Sequence, residues 1–272
     1  MAELLSIDNL CLRFGGLRAL DEVDVSIAQG HIAGLIGPNG AGKTSLLNCI
    51  CRFYQPQSGT IRLDGVDLLR VPTHGLAKRG LTRTFQHMEL FAHMTVLENV
   101  LVGVHPTLRP SMFGEAFALP RARRAATRQR ERAEETLDLM GLASWAAAPV
   151  QSLPLGIQKR TGVARALAAR PRILLLDEPA GGLNGTEKRE LAALLRDLRA
   201  KLDLTILLIE HDMDMVMSLC DQITVLDFGR RIAAGTPAEI RRDPVVIAAY
   251  LGTPETSGTS SQPVEAAVEP VR

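Results

Sequence analysis

Gly37-Pro38-Asn39-Gly40-Ala41-Gly42-Lys43-Thr44 has the form G-x-x-x-x-G-K-T, the spacing of a loop that wraps a polyphosphate. An apolar run, Ile32-Ala33-Gly34-Leu35-Ile36, precedes it, and a helix-like run, Ser45-Leu46-Leu47-Asn48-Cys49-Ile50, follows. A strand, a glycine-rich turn and a helix N-terminus in that order present a cradle of backbone N–H groups that suits phosphate oxygens. Within it Lys43 is placed to reach the β- and γ-phosphates and the Thr44 hydroxyl to ligate Mg²⁺. The chain therefore reads as nucleotide-binding.

A second group of residues supplies what hydrolysis needs. Ile173-Leu174-Leu175-Leu176 runs into Asp177-Glu178-Pro179, four apolar residues followed by two carboxylates, as in a buried strand ending where ligands collect in a parallel sheet. Asp177 is then placed to hold Mg²⁺ through water opposite Thr44, and Glu178 to orient and deprotonate an attacking water. His211 follows another apolar run, Thr205 to Ile209, and would donate to the γ-phosphate. Gln86 ends a short strand-like stretch from Leu81. Phe14, just ahead of the Gly15-Gly16 turn, has two readings: an aromatic ring stacked on adenine, or a residue packed at a sheet edge.

The elements that carry these residues alternate. The opening alternates from Leu4 to Leu12 and again from Val23 to Ile27, which predicts an antiparallel β layer ahead of the nucleotide strand. Pro56-Gln57-Ser58-Gly59 is a turn, and Thr60 to Leu63 with Asp64-Gly65 predicts a strand and tight turn. Helical signals dominate from Phe91, through Val96 to Val100 and then from Pro120 to Met140, with Gly141 just past the end. Pro106 to Pro120 reads as an exposed loop. Later helices are expected through Val163 to Ala168 and from Lys188 to Lys201, so the fold class is α/β with right-handed crossovers. Arg121, Arg123, Arg124, Arg128, Arg130 and Arg132 would suit phosphates or lipid headgroups, but the nearby Glu131, Glu134 and Glu135 favour a solvated helix face.

Composition sets bounds. The 272 residues are 46% apolar, enough for a substantial core, and 31 Lys and Arg against 30 Asp and Glu leave no global field that would favour nucleic acid. Cys11, Cys49, Cys51 and Cys220 lack zinc or disulfide-framework spacing, which suits a reducing cytoplasm. No apolar run reaches the roughly 18 residues needed to span a bilayer, so work at a membrane would require another chain. The stretch after Gly252 is rich in Thr, Ser, Pro and Glu and is expected to be disordered.

Taken in order, these motifs resemble the ATPase subunits of ABC transporters: Walker A at Gly37 to Thr44, Q-loop at Gln86, signature at Leu153 to Gln158, Walker B at Ile173 to Asp177, catalytic Glu178, D-loop at Gly182-Leu183-Asn184 and switch His211. More narrowly, Phe14 to Leu20, Thr84-Phe85-Gln86, Met94 to Val100 and Ala249-Tyr250-Leu251-Gly252 resemble the branched-chain amino-acid uptake ATPases. The resemblance implies a phosphate-loop, RecA-like core over residues 1–252, with the N-terminal β layer and an inserted α-helical subdomain at about 87–160, and a tail at 253–272. It implies ATP and Mg²⁺ as ligands, with Ser45 joining Gly37 to Thr44 around the nucleotide, Gln86 joining Thr44 and Asp177 at the metal, and Gly156 approaching the nucleotide of an opposed protomer. It also implies a peripheral place at the cytoplasmic face of the plasma membrane. The implied partners are two permease subunits, a second ATPase subunit and, indirectly, an extracytoplasmic binding protein.

The signature departs from L-S-G-G-Q: Pro154 brings neither hydroxyl nor N–H, and Asn184 replaces the common Asp of the D-loop. This suggests pairing with a different ATPase whose signature is intact. Rival readings are an ATPase for urea, short amides or lipopolysaccharide export, a soluble ABC protein acting on ribosomes or DNA, and a non-hydrolysing regulator. One Walker A and no long heptad run disfavour the ribosomal and repair types, and Glu178 disfavours the regulator.

Overall fold

The computed structural model describes residues 2–84, 90–104 and 120–251. Gln86, the 106–119 part of the expected loop and the stretch after Leu251 lie outside these residues. In chain order the strands are β1 (Glu3–Phe14), β2 (Leu17–Ala28), β3 (Ile32–Ile36), β4 (Ser58–Leu63), β5 (Val66–Asp67), β6 (Leu81–Arg83), β7 (Ile173–Asp177), β8 (Thr205–Ile209), β9 (Gln222–Asp227) and β10 (Arg230–Gly235). The α-helices are α1 (Lys43–Ile50), α2 (Val96–Val104), α3 (Pro120–Leu139), α4 (Leu155–Leu167), α5 (Gly185–Leu202), α6 (Met213–Leu219), α7 (Pro237–Ile240) and α8 (Pro244–Leu251).

Two sheets form. The first is antiparallel, in the order β2-β1-β4-β5; the second has the order β10-β9-β3-β8-β7-β6. In the second sheet β6, β7, β8, β3 and β9 are mutually parallel, and only β10 runs antiparallel, on β9. Strands β3, β7 and β8 are buried at every residue, as expected where helices or a second sheet cover both faces. Their side chains divide with period two. Ile32, Ile36, Leu174, Leu176, Ile206 and Leu208 enter one core, with helices α2 to α7. Ala33, Leu35, Ile173, Leu175, Leu207 and Ile209 enter the other, where Leu46, Leu47 and Ile50 of α1 meet Leu5, Ile7 and Leu10 of β1. Helix α1 is therefore held between the two sheets, and the loop before it opens at the carboxyl edge of the parallel strands.

The expected antiparallel layer and the tight turn at Asp64-Gly65 are both present, the turn with φ of 50° and 75°. The expected strand from Leu81 is shorter than its reading, ending at Arg83, although the Thr84 amide still donates to the Leu175 carbonyl at 2.9 Å. The helix expected at Pro120 to Met140 closes at Leu139. Arg124, Arg128 and Arg130 are exposed on α3, and Arg130 pairs with Glu134 at 2.8 Å, the solvated face that its composition favours. Cys49 and Cys51 are both buried because Cys51 lies just past the end of α1, turned into the second core.

Candidate functional site

The glycine loop needs its glycines. Gly37 and Gly42 have φ of 149° and 102°, and a Cβ would lie 2.1 Å from the Leu226 carbonyl oxygen at Gly37 and 2.7 Å from that of Ala19 at Gly42. The loop is thus pressed between β9 and β2, and the Ala41 amide closes it by donating to the Pro38 carbonyl at 3.2 Å. Pro38 and Ser45 are half-buried, Asn39 and Gly40 are exposed at the rim, and Ala41 anchors the loop in the core. The Lys43 ammonium folds back on the loop, donating to the carbonyls of Gly37 at 2.6 Å and Pro38 at 2.9 Å. Partial burial lowers its pKa, opposed by the charges of Glu178 and Asp177, so the three groups share one field. Thr44, in the first turn of α1, keeps its side chain exposed.

Two strands across the sheet, β7 delivers the carboxylates to the same edge, and β8 between them delivers Glu210-His211. The Asp177 side chain is 2% exposed and paired with Arg83 at 2.8 Å, while its amide donates to the Thr84 hydroxyl at 3.3 Å. Glu178 sits in the left-handed region, φ 47°, with its amide bonded to the Ile209 carbonyl at 2.9 Å. An unbranched acidic residue held there is strained by about 1–3 kcal/mol, a mark of sites where geometry serves chemistry. Glu178 Oε1 lies 4.0 Å from His211 Nδ1, and that imidazole is largely exposed. The structure thus brings together Gly37 to Ser45, Asp177, Glu178 and His211.

Two predicted site residues have their own neighbours outside this group. Gly156, in the first turn of α4, faces the Glu187 side chain, whose nearest oxygen would be 3.0 Å from an added Cβ. Phe14 closes the β1–β2 hairpin opposite Leu17, half exposed, with its ring edge-on to Tyr54 at 5.0 Å. Its sheet-edge packing and its open ring surface are thus both present.

Several residues escaped the sequence reading. Arg83 reaches Asp177 and Asn48 from β6. Glu210, 1% exposed, accepts the Ala180 amide at 2.7 Å and the His211 amide at 3.3 Å, and burial pushes its pKa up. Lys188 on α5 pairs with Asp212 at 2.6 Å, so the segment behind the D-loop is tied to the residue after His211. A charged residue beside a buried strand, as at Arg83 and Glu210, is the one sequence signal available; the remainder is set by packing.

Comparison with known proteins agrees with this arrangement. The family model described as ABC transporter matches residues 20–181, and that described as branched-chain amino acid ATP-binding cassette transporter matches 230–256. The chain is 44% identical over 249 residues to the high-affinity branched-chain amino acid transport ATP-binding protein BraF of Pseudomonas aeruginosa, covering 92% of this chain and 98% of that one. It is 45% identical, with the same coverage, to LivG of Escherichia coli, which carries the same description.

The chain belongs to the ATP-binding subunits of ABC transporters.

As such it is an ATPase cassette. Among solved structures, an ABC-transporter cassette in its ADP conformation superposes with a TM-score of 0.80 at 29% identity, over 93% of this chain and all of that one. A cassette solved as a dimer in a post-hydrolysis state with ADP and Pi superposes at 0.71 with 26% identity, over 86% and 99%. The phosphate-loop core expected from the motifs is therefore the fold of this family.

Proposed function

We propose that this cassette binds ATP with Mg²⁺ and hydrolyses it to drive uptake of branched-chain amino acids through permease subunits. One observation carries the reading: the glycine loop, the Asp177-Glu178 pair and His211 leave β3, β7 and β8, adjacent parallel strands, at one edge of one sheet. The loop from Gly37 to Ser45 cradles the phosphates with its available backbone amides, and Lys43 exchanges its two loop carbonyls for the β- and γ-phosphates. Phe14 supplies the aromatic surface for adenine. Glu178 orients a water against the γ-phosphate and takes its proton; His211, beside it, donates to the γ-phosphate.

The residues present fit a magnesium ion: an exposed Thr44 hydroxyl and a buried Asp177 carboxylate are hard oxygen donors. These two, with Gln86, would hold it, and the ion's contribution is to neutralise charge on the triphosphate.

The nearest neighbour of Gly156 is Glu187 and not this chain's own glycine loop, which supports a site completed by the signature of a second ATPase subunit, as in the opposed protomers the motifs imply. A groove of about 380 Å³ lined by Cys51, Phe53, Leu76, Phe91, Val102 and Arg165 offers an apolar seat to a permease, with Phe53, Phe91 and Val102 exposed along it. Among the described residues no helix is long and apolar enough to cross a membrane, so attachment at the cytoplasmic face runs through that seat. We assign residues 1–252 to the ATPase domain, with 87–160 as its helical subdomain. Both curated relatives and the match at 230–256 support branched-chain amino acids as the cargo, received from an extracytoplasmic binding protein.

Glu178→Gln tests the chemistry. Turnover is expected to fall by at least about 10²-fold, the range of a positioned general base, while ATP binding by calorimetry persists. Undiminished turnover overturns the role of Glu178. Leucine uptake by cells lacking this chain tests the cargo, and uptake at the normal rate overturns it.

A further inference from the structure

Arg83 is absent from every motif that the site reading uses, yet two hydrogen bonds build it into the metal-side wall. Its side chain is 10% exposed and that of Asp177 is 2% exposed, so both charges have left water and each needs the other. Nη2 donates to Asp177 Oδ2 at 2.8 Å and Nη1 to Asn48 Oδ1 at 2.7 Å, and the Cys51 thiol lies against the same guanidinium. Lys43, the other nearby cation, is bound to the loop carbonyls.

The placement of Asn48 gives this contact its meaning. Asn48 follows Thr44 by four residues on α1, so the two share one helix face, one turn apart. A planar guanidinium fixed at one end on that face and at the other on Asp177 sets the gap between the helix that carries Thr44 and the strand that carries Asp177. The backbone adds a second tie, since Arg83 pairs with Leu175 across β6 and β7, and the next residue, Thr84, accepts the Asp177 amide.

We infer that Arg83 is a positioning residue of the magnesium site, holding the Asp177 carboxylate in one orientation and at one distance from Thr44. This rests on the reading of Thr44 and Asp177 as metal-holding residues. In this role Arg83 acts through the two side chains it bonds, Asp177 and Asn48. A lysine would keep the charge and lose the two-ended fork, whereas Asn48→Ala would keep the ion pair and lose its anchor on α1.

The test is binding of a fluorescent ATP analogue to the intact cassette, first in EDTA and then across a magnesium titration. Arg83→Gln is expected to raise the magnesium concentration for half-maximal response by about tenfold, the lower end for residues that orient metal ligands, with binding in EDTA unchanged. Arg83→Lys and Asn48→Ala should each give a smaller rise. A purely structural role would lower binding in EDTA by the same factor, and that result, or a wild-type midpoint in Arg83→Gln, overturns the inference. If Arg83→Gln does not fold, Arg83→Lys and Asn48→Ala decide, and wild-type midpoints in both overturn it. Asp177→Asn separates the two levels: if it responds to magnesium as the wild type does, the assignment of Asp177 fails, and Arg83 with it.

Discussion

Glu210 shows how much of the candidate site's geometry rests on side chains buried behind it. It is a carboxylate in the core, one residue before His211, and it accepts the amides of Ala180 and His211. It therefore ties the turn that leaves Glu178 to the loop that presents the imidazole. Glu210→Ala leaves those amides without their acceptor and should cost about 1–3 kcal/mol in urea unfolding, with slower ATP turnover as His211 loses its register with Glu178. Glu210→Gln keeps one acceptor oxygen and should recover part of both. Burial raises the Glu210 pKa above 4.5, so its proton is held more tightly in the folded state. The associated stability is fully present below 4.5 and lost as pH rises through the raised value. The wild type should thus gain on Glu210→Gln as the buffer is acidified, and a difference independent of pH would contradict this. At this scale Lys43, Thr44, Asp177 and Glu178 were legible because sequence-local spacing carries them. Arg83 and Glu210 were not, because their partners are 94 and 30 positions distant and only the packed sheet brings them near.

Among the elements, those buried on both faces were the most readable: four apolar residues ending in acid can hardly be anything but a central strand. The strand β10, half exposed along its length, has no apolar alternation to read, and α7 is a single turn, so the region after His211 yielded little. Gly103 is a sharper case. In the sequence it is a glycine inside a helical run, where it costs helix stability relative to alanine by about 0.5–1 kcal/mol. In the fold α2 crosses α4 so closely that a Cβ at Gly103 would lie 1.8 Å from the Arg165 carbonyl oxygen. Gly103→Ala therefore gains helix propensity and loses more by forcing the helices apart, for a net destabilisation of about 1–3 kcal/mol. Chemical denaturation measures it, and an unchanged or raised midpoint would show that the crossing relaxes without cost. The same separation would widen the groove beside Phe91 and Val102, so permease capture should weaken along with stability.

For the molecule as a whole, burial decides which thiols react. Cys49 and Cys220 are pushed up to about 12 and Cys51 to about 11, chiefly by desolvation, so at neutral pH they hold their protons. Cys11 is half-buried and should be the first of the four to react with a thiol reagent, ahead of the three buried thiols. Assembly is decided by the opposite kind of surface. Helix α4 begins at Pro154, which caps it with φ −54° and ψ 150° and makes no side-chain hydrogen bond, whereas Asn184 caps α5 with a complete capping box to Glu187. The segment proposed as the signature thus has an ordered helix start but, at Pro154, no hydroxyl for the proposed contact with an opposed protomer's γ-phosphate. A donor of that kind is worth about 10²-fold in turnover where it meets developing charge. Two copies of this chain facing each other would lack it at both sites, while a partner ATPase with serine at that position restores it at the site built on this chain's Lys43 and Glu178. The purified chain should therefore hydrolyse ATP slowly, its mixture with such a partner faster than the sum of the two, and Pro154→Ser should raise the rate of this chain alone. Turnover by the unmodified chain as fast as by the mixture would instead show that the amides at the start of α4 suffice, and that two copies form a competent pair.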